Sequence, residues 1–293
     1  MASAPYNDRD GWMWMDGEFL PWRECNAHVL THALHYAGAV FEGQRAYNGT
    51  IFKLKEHTER LFNSAKILGY KIPYTPQEMN DACMELLEKN NLTDAYCRPV
   101  AWRGSEMMGV SAQQNTIHAA IAVWEWPSYF SPEARLKGLR LDISTWRRPA
   151  PDTAPTNAKA SGLYMICTMS KHAAESKGYD DALMFDYRGQ VAEATGANIF
   201  FVKDGELHTP KPDCFLNGIT RQTVIELATK RQIKVIERAI MPDEMATFEQ
   251  AFLTGSAAEV TPLAEIGPYN FEVGEMTKTL MFDYDALVKG KAA

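Results

Sequence analysis

One lysine of this 293-residue chain lies among small residues, in the sequence PTNAKASGLY around Lys159. Prolines keep the approach to this stretch extended, and Ala158, Ala160, Ser161 and Gly162 leave space for a flat, bulky group beside the amine. Such an amine can form a Schiff base with a carbonyl compound. Most lysines, however, are solvated surface charges, so the chemistry of Lys159 depends on the groups that accompany it.

Two further stretches are typical of anion-binding sites. Gly218-Ile219-Thr220 and Gly255-Ser256-Ala257 each begin with glycine at the predicted start of a helix or turn, and each includes a hydroxyl residue. Backbone N–H groups lack helical partners there, and a helix dipole favours an anion. Arg60 is a candidate counter-charge because a guanidinium can bind a phosphate through two hydrogen bonds. Glycine before a helix usually only shapes a turn, so the stretches predict a phosphate site only jointly.

A carboxylate completes the set of candidate groups. Glu193 ends a predicted strand just before the small residues Ala194-Thr195-Gly196-Ala197. A glutamate in such a place is usually exposed and solvated, but it can also hold a heterocyclic nitrogen protonated. A lysine, a phosphate site and a carboxylate for a ring nitrogen are together what pyridoxal 5'-phosphate requires, because this cofactor uses a Schiff base and a protonated pyridine.

Eight segments extend this pattern over nearly the whole chain. In order they are HALHYAGAVFEGQRAY, HTERL, KNNLTDAYCRP, MMGV, APTNAKASGLY, VAEATGANIFFVKDG, LNGITR and TGSAAEVTP. By these segments, their order and their spacing, the chain resembles the branched-chain amino-acid aminotransferases of the fold-type IV (class IV) pyridoxal-phosphate enzymes. The resemblance implies an α+β fold of the D-amino-acid-aminotransferase type, with a smaller N-terminal α/β domain and a larger C-terminal mixed α/β domain.

The same resemblance implies the cofactor contacts, position by position. Lys159 matches the Schiff-base lysine and is the predicted catalytic residue, Glu193 matches the partner of the pyridine nitrogen, and Tyr164 matches the tyrosine that hydrogen-bonds the phenolic oxygen of the cofactor. The other predicted cofactor-binding residues, most of them for the phosphate, are Arg60, Gly196, Ile219, Thr220, Ser256 and Ala257.

Tyr96-Cys97-Arg98 resembles the YxR pattern of the branched-chain enzymes. The D-amino-acid aminotransferases have an arginine–histidine pair instead, and Val100 stands where their histidine is expected. The resemblance implies that Tyr96 helps to bind the α-carboxylate and that Arg98 accepts the γ-carboxylate of glutamate. Other predicted substrate contacts are Phe41, Gly43, Trp126, Tyr129 and Ala257 from the same subunit, and Tyr36 and Val110 from a neighbouring subunit.

The implied activity is transamination of L-leucine, L-isoleucine and L-valine with 2-oxoglutarate by at least a homodimer. The implied partners are small molecules, namely amino acids and 2-oxo acids, and a largely apolar pocket explains the branched side chains. Within the same fold, an (R)-amine or D-amino-acid aminotransferase and an aminodeoxychorismate lyase stay open as alternatives. A non-catalytic binding protein is a further alternative, against which the presence of both Lys159 and Glu193 argues.

Composition excludes several other classes. The formal charge of −7 and the lack of lysine or arginine blocks argue against a nucleic-acid partner. Five scattered cysteines without a CxxC pair indicate reduced thiols and no metal site. The N-terminus lacks the features of a signal peptide, and no apolar run approaches the roughly 18 residues of a membrane span. We therefore expect a cytoplasmic protein.

Periodicity predicts the elements that must position these residues. Apolar spacing predicts a helix over 54–68 that carries Arg60, and a second helix follows a capping box at Thr75. Aromatic and branched residues predict strands over 96–102 and 117–124, and further strands flank Glu193. The Pro- and Ser-containing stretch 125–138 is the predicted interdomain loop, between a small domain of residues 1–124 and a large domain of residues 139–293.

Overall fold

A computed structural model of the chain describes residues 5–126 and 135–290, which group into two compact units. The first unit takes residues 5–126 and 158–162 of this set, and the second takes residues 135–157 and 163–290. The short stretch around Lys159 thus joins the first unit, whereas the predicted boundaries, which follow the chain in order, put it in the large domain. Those boundaries at 124 and 138 stay a prediction.

Seven strands in the described part of the first unit form one antiparallel sheet, in the order β2-β1-β7-β6-β4-β5 with β3 beside β6. Asp16-Gly17 and Asn48-Gly49 form the turns of two hairpins, β1–β2 and β4–β5, and all four turn residues have positive φ. The strands are β1 (Trp12–Met15), β2 (Glu18–Pro21), β3 (Ala39–Phe41), β4 (Gln44–Tyr47), β5 (Thr50–Ile51), β6 (Ala95–Arg103) and β7 (Ile117–Glu125).

Helices α1 (His32–Tyr36), α2 (Leu54–Ile67) and α3 (Pro76–Lys89) complete the first unit, with a 3-10 segment over Trp22–Glu24. The predicted capping box of α3 is present: Glu78 N–H donates to Thr75 Oγ1, and Thr75 N–H donates to the Glu78 carboxylate. One core between the sheet and α2 and α3 contains Leu61, Leu86 and Ile121. Removing this apolar surface from water stabilises the sheet and the helices together.

Nine strands of the described second unit form one sheet, in which β10 pairs with both β9 and β11. The path β10-β9-β8-β15-β14-β11 therefore closes on itself as a six-stranded ring, while β12 and β13 extend it from β11. The strands are β8 (Leu139–Arg148), β9 (Asp181–Asp186), β10 (Val191–Ala194), β11 (Asn198–Lys203), β12 (Glu206–Pro210), β13 (Val235–Arg238), β14 (Gln250–Gly255), β15 (Glu259–Ile266) and β16 (Tyr269–Asn270).

The helices of the second unit are α4 (Met165–Glu175), α5 (Ile219–Lys230) and α6 (Glu275–Val288). A 3-10 turn, Ser161–Tyr164, precedes α4, and another covers Pro242–Thr247. Side chains from the ring, including Leu183, Phe201 and Leu263, form the core of this unit. Among the described residues, no helix combines the length and the apolar character needed to cross a membrane.

Candidate active site

The Lys159 stretch is attached to the edge of β3 by backbone contacts. Lys159 C=O accepts a hydrogen bond from Phe41 N–H (3.1 Å), and Ala160 forms an antiparallel bridge with Val40. On the other side, Lys159 N–H donates to Ser64 Oγ of α2 (3.0 Å). The Lys159 ammonium nitrogen lies 5.0 Å from the centre of the Phe41 ring. Strand and helix together thus fix the backbone from which the amine projects.

Tyr96 and Arg98 lie on the same face of β6, because side chains two apart on a strand point the same way. Arg98 Nη2 donates to Tyr96 Oη (3.1 Å), and the guanidinium carbon lies 4.8 Å from the Phe41 ring centre. Arg98 Nε is buried and has no hydrogen-bond partner among the described residues. A buried donor without a partner is costly, so this arginine is suited to bind a carboxylate.

Aromatic rings pack around Tyr96. Trp124, directly opposite Tyr96 on β7, and Trp126 both have ring centres 5.0 Å from that of Tyr96. Trp126 is a predicted substrate contact, whereas the packing of Trp124 against Tyr96 was not predicted. Alternation along β7 is the signal that would have found it, since residues 124 and 126 share one face of an extended chain.

An ion-pair cluster centred on Glu42 also escaped prediction. Glu42 is fully buried between the predicted contacts Phe41 and Gly43, and its two carboxylate oxygens accept from Arg60 Nε (2.6 Å) and Arg60 Nη2 (2.9 Å). His57, three residues before Arg60 on α2, lies with Nδ1 2.7 Å from Glu42 Oε2. Burial raises the pKa of Glu42, but Arg60 and His57 outweigh burial and hold it well below its usual range.

The remaining predictions for the first part of the chain concern the neighbouring subunit and one aromatic residue. Tyr36 is 46% exposed and Val110 is 82% exposed, and Tyr36 Oη donates to Met108 C=O (3.3 Å). The structure therefore brings the predicted subunit-contact positions together on the surface of the first unit. Tyr129, the other predicted substrate contact, lies outside the described residues.

Glu193 of the second unit lies where the strand ring closes. It pairs in register with Asn198, and Ala194 N–H donates to Ala197 C=O (2.8 Å), so that residues 194–197 form a tight connection. Asn198 Nδ2 donates to Glu193 Oε2 (3.1 Å), and Arg148 Nε lies 3.3 Å from Glu193 Oε1. Two neighbours thus fix the orientation of this carboxylate.

Asn198 also connects Glu193 to the start of α5. Asn198 Oδ1 accepts a hydrogen bond from Gly218 N–H (3.1 Å), and a Cβ at position 218 would come within 2.2 Å of the same oxygen. Gly218 is the N-cap of α5 and, being glycine, has no side chain that could cap the helix. The N–H groups of Ile219 and Thr220, in the first turn of α5, are therefore suited to bind an anion.

The turn between β14 and β15 lies beside the 194–197 connection. Asn198 pairs with Thr254, and a Cβ at Gly255 would lie 3.4 Å from both Ala197 Cβ and Gly196 C=O. Ser256 and Ala257 follow in this turn, before β15 begins. The second unit thus collects Glu193, Gly196, Ile219, Thr220, Ser256 and Ala257 at one end of its strand ring.

Tyr164 ends the 3-10 turn that precedes α4 and interacts electrostatically with Arg148. Burial lowers the pKa of Arg148, but Glu193, Cys167 and Tyr164 together outweigh burial and raise it. Arg148 is buried, and its Nη1 donates to Cys167 Sγ (3.3 Å). Arg148 and Asn198 are the residues around Glu193 that sequence reasoning missed, because neither matched a motif on its own.

One cluster of potential metal ligands occurs in the described residues, formed by Asp186, Asp213 and Cys214. Arg188 Nη2 lies 2.6 Å from Asp186 and 2.8 Å from Asp213, so both carboxylates are already paired with this arginine. Burial, together with both carboxylates, raises the pKa of Cys214 to about 12. A protonated thiol and two carboxylates bound to arginine are poor metal ligands, and the cluster carries no metal assignment.

The chain is similar to proteins of one family. Residues 39–266 match the family model for amino-transferase class IV. The branched-chain-amino-acid aminotransferase of Pseudomonas aeruginosa is 43% identical over 97% of this chain and 95% of its own length, and that of Escherichia coli is 37% identical over 90% and 87%.

Solved structures agree with these relatives. The T.th. branched-chain amino acid aminotransferase with pyridoxamine 5'-phosphate has a TM-score of 0.94 at 38% identity, covering 97% of this chain and 96% of its own. The branched-chain aminotransferase of Thermoproteus uzoniensis with norvaline has a TM-score of 0.92 at 36% identity, with the same coverage. The predicted α+β, two-domain fold class is thereby confirmed. By its matching family model and these relatives, the chain belongs to the class IV aminotransferases, as the sequence predicts.

Proposed function

We propose that this enzyme transfers the amino group of L-leucine, L-isoleucine and L-valine to 2-oxoglutarate with pyridoxal 5'-phosphate as cofactor. The relatives and solved structures that it matches over most of its length bear the corresponding name, and one of those structures contains pyridoxamine 5'-phosphate. Within the structure, the observation that carries the proposal is the Tyr96–Arg98 pair, in which the buried Arg98 Nε has no hydrogen-bond partner in the described part of the chain.

The candidate donors and acceptors fit the chemical parts of this cofactor. These groups are the Lys159 amine, the Arg60 guanidinium, the Glu193 carboxylate and the N–H groups that begin α5. Gly218 is the most specific of these features, because any side chain there would collide with Asn198 Oδ1. A helix start that excludes a capping side chain suits a phosphate.

When bound, the cofactor supplies an aldehyde carbon and an electron-accepting ring. Lys159 Nζ is the base that takes the proton from the substrate Cα. Glu193, oriented by Asn198 and Arg148, accepts a hydrogen bond from a protonated ring nitrogen. Tyr164 donates a hydrogen bond to the phenolic oxygen of the cofactor. The phosphate end is bound by Ile219, Thr220, Gly196, Ser256, Ala257 and Arg60.

Two kinds of substrate must use one binding site. Tyr96 binds the α-carboxylate of each substrate, and Arg98, with its buried Nε, binds the γ-carboxylate of glutamate or 2-oxoglutarate. The rest of the pocket is formed by Phe41, Gly43, Trp126, Tyr129 and Ala257, together with Tyr36 and Val110 of a neighbouring subunit. An apolar pocket separates side chains that differ by a methylene by only about 1–3 kcal/mol. We therefore expect some activity with other apolar amino acids.

A homodimer or larger homo-oligomer is part of the proposal. Apolar side chains of residues 29–36 are exposed, among them Val29 (70%) and Leu34 (68%), and Val110 lies on a loop held to this stretch by the hydrogen bond between Tyr36 and Met108. Such a patch is typical of a subunit interface. A cytoplasmic location is also proposed, and the five free cysteines agree with a reducing compartment.

A panel of amino donors tests the function. Glutamate formation from 2-oxoglutarate is measured with L-leucine, D-alanine and (R)-1-phenylethylamine, with Lys159→Ala as the inactive control. We expect L-leucine to be the best donor by a factor of about 100 or more, which corresponds to roughly 2.7 kcal/mol. A lack of turnover with L-leucine would refute the proposal, and preference for D-alanine or the (R)-amine would support the alternatives within the fold.

A further inference from the structure

We propose that Glu42 is a positioning residue that orients Arg60 for the phosphate of the cofactor. This inference rests on the proposed function, since it assigns Glu42 a role through a residue of the proposed phosphate site. Glu42 is fully buried and lies between Phe41 and Gly43, where β3 ends. Burying a carboxylate costs free energy unless the carboxylate is paired. The pairing with Arg60 therefore keeps Glu42 at this place.

The contacts of Glu42 fix the plane of the Arg60 guanidinium. Oε1 accepts from Nε (2.6 Å) and Oε2 accepts from Nη2 (2.9 Å), so the carboxylate occupies the Nε–Nη2 edge. A guanidinium is planar and carries five N–H groups. A phosphate bound by Arg60 would therefore use the other edge, between Nη1 and Nη2, whose direction is set by Glu42.

His57 fixes Glu42 in turn without adding a charge. Burial lowers the pKa of His57, an effect that the hydrogen bond to Glu42 opposes and that the charges of Arg60 and Lys159 reinforce. The neutral ring donates through Nδ1 to Glu42 Oε2 (2.7 Å), which also accepts from Gly43 N–H (3.3 Å). The carboxylate is thus held by groups from both α2 and the end of β3.

The geometry of α2 explains why one carboxylate can serve both side chains and the lysine stretch. His57, Arg60 and Ser64 are spaced at i, i+3 and i+7, so they share one face of the helix. Ser64 Oγ accepts from Lys159 N–H, and Glu42 lies two residues after Val40, which bridges to Ala160. Arg60 is therefore oriented on the same helix face that anchors the lysine stretch.

Two effects of Glu42 on phosphate binding have opposite signs. Its negative charge weakens the attraction of Arg60 for a second anion, whereas its hydrogen bonds remove the rotamer freedom that an unconstrained arginine would lose on binding. Glu42→Gln removes the charge and turns an amide N–H₂ toward a donor of either Arg60 or His57. At least one hydrogen bond of this side chain to Arg60 or His57 is then lost. We expect the loss of orientation of Arg60 to outweigh the gain from removing the negative charge.

The test compares pyridoxal 5'-phosphate with pyridoxal, which lacks the phosphate, by spectroscopic titration of the full cofactor-free chain. We expect Glu42→Gln to weaken binding of pyridoxal 5'-phosphate by about tenfold to a hundredfold and to change pyridoxal binding less than about threefold. Glu59→Gln is the matched control, since Glu59 precedes Arg60 on α2 and its side chain is 60% exposed. This control should bind both compounds like the wild type.

The outcomes separate the inference from the function. If the wild type binds pyridoxal 5'-phosphate, unchanged or tighter binding of this compound by Glu42→Gln would overturn the positioning role. An equal loss of affinity for both compounds would also overturn it, because it would indicate a merely structural role. A wild type that binds neither compound would refute the proposed function itself. Glu42→Asp, one methylene shorter, should show the same selective loss.

A measurement on the wild type covers the case in which neither variant folds. Arg60 guanidinium N–H signals in nuclear magnetic resonance spectra of the cofactor-free chain, assigned by comparison with Arg60→Lys, should show a guanidinium that does not rotate freely. Free rotation there would overturn the inference, because it would mean that Glu42 does not hold Arg60.

Discussion

The Tyr96 hydroxyl occupies the space that a side chain at position 43 would need. A Cβ on Gly43 would lie 2.0 Å from Tyr96 Oη and 2.9 Å from the ring carbon that bears it. Tyr96 is 7% exposed and packs against Trp124 and Trp126, so it cannot move away at little cost. Glycine at position 43 thereby sets the position of the hydroxyl to which Arg98 donates.

Gly43→Ala should therefore impair substrate binding. The added methyl displaces Tyr96 Oη and with it the partner of Arg98 Nη2. We expect kcat/KM for L-leucine to fall by about tenfold or more, equivalent to roughly 1.4 kcal/mol, with unchanged affinity for pyridoxal 5'-phosphate. Steady-state kinetics and a cofactor titration check this. Wild-type kcat/KM in this variant would show that Tyr96 does not need its observed position.

Gly218→Ala should weaken cofactor binding. Its Cβ would lie 2.2 Å from Asn198 Oδ1 and would displace the side chain that also contacts Glu193. We expect the affinity for pyridoxal 5'-phosphate to fall about tenfold or more, as for the loss of a hydrogen bond to a charged group.

Gly274→Ala provides a matched control for this prediction. Gly274 is the N-cap of α6, and its Cβ would meet the Gln250 amide carbon at 2.4 Å, so the variant has a similar collision at another helix start. Its melting temperature should fall while its cofactor affinity is retained. Equal loss of cofactor affinity in both variants would attribute the effect to general destabilisation.

A bulky residue beside the lysine should also impair cofactor uptake. Ala160 is 4% exposed and its backbone bridges to Val40. Phenylalanine at this position requires the Lys159 stretch to shift, at a cost of about 1–3 kcal/mol for overpacking. We expect weaker binding of pyridoxal 5'-phosphate to Ala160→Phe in the same titration. Wild-type affinity would show that the small residues around Lys159 do not make room for the cofactor.

The buried His57 should make stability depend on pH. Burial holds the pKa of His57 below its usual value of about 6.5, so below that pH the unfolded chain binds a proton that the folded chain does not. The stability contributed by neutral His57 is fully present above about pH 6.5 and is lost as the pH falls toward the folded pKa. The depressed pKa of Glu42 acts in the same direction at lower pH.

Thermal unfolding between pH 5 and 8 measures this effect. His57→Asn should show a smaller fall of the melting temperature toward pH 5 than the wild type, whereas His28→Asn, at an exposed histidine, should retain the wild-type dependence. The same dependence in His57→Asn as in the wild type would contradict the shifted pKa of His57.

Local signals in the sequence predicted most of the elements that carry the site. The capping box at Thr75 and the periodicity over 54–68 correspond to α3 and α2, because both depend on residues within one or two turns. Strand β15 was missed, although it is paired with both β8 and β14. It contains Pro262, which has no backbone N–H and is rare inside sheets except at edges and bulges, so the stretch gives a weak strand signal.

The motifs predicted individual candidate residues of the site, and the structure adds how these residues are held. The predicted positions of the second unit meet at one end of a ring that closes through Glu193 and Asn198, a pairing that no local pattern indicates. Glu42 and Arg148 were missed for a similar reason. Their partners, Arg60 and Glu193, are 18 and 45 positions away in the sequence, and only the fold makes them neighbours.

The most direct test of the account is one round of reaction with L-leucine and no acceptor. A ping-pong aminotransferase should release about one equivalent of 4-methyl-2-oxopentanoate per chain, and glutamate only after 2-oxoglutarate is added. We expect this result for the wild type loaded with pyridoxal 5'-phosphate and no product from Lys159→Ala. Failure of the wild type to release the oxo acid, or equal release by Lys159→Ala, would contradict the account.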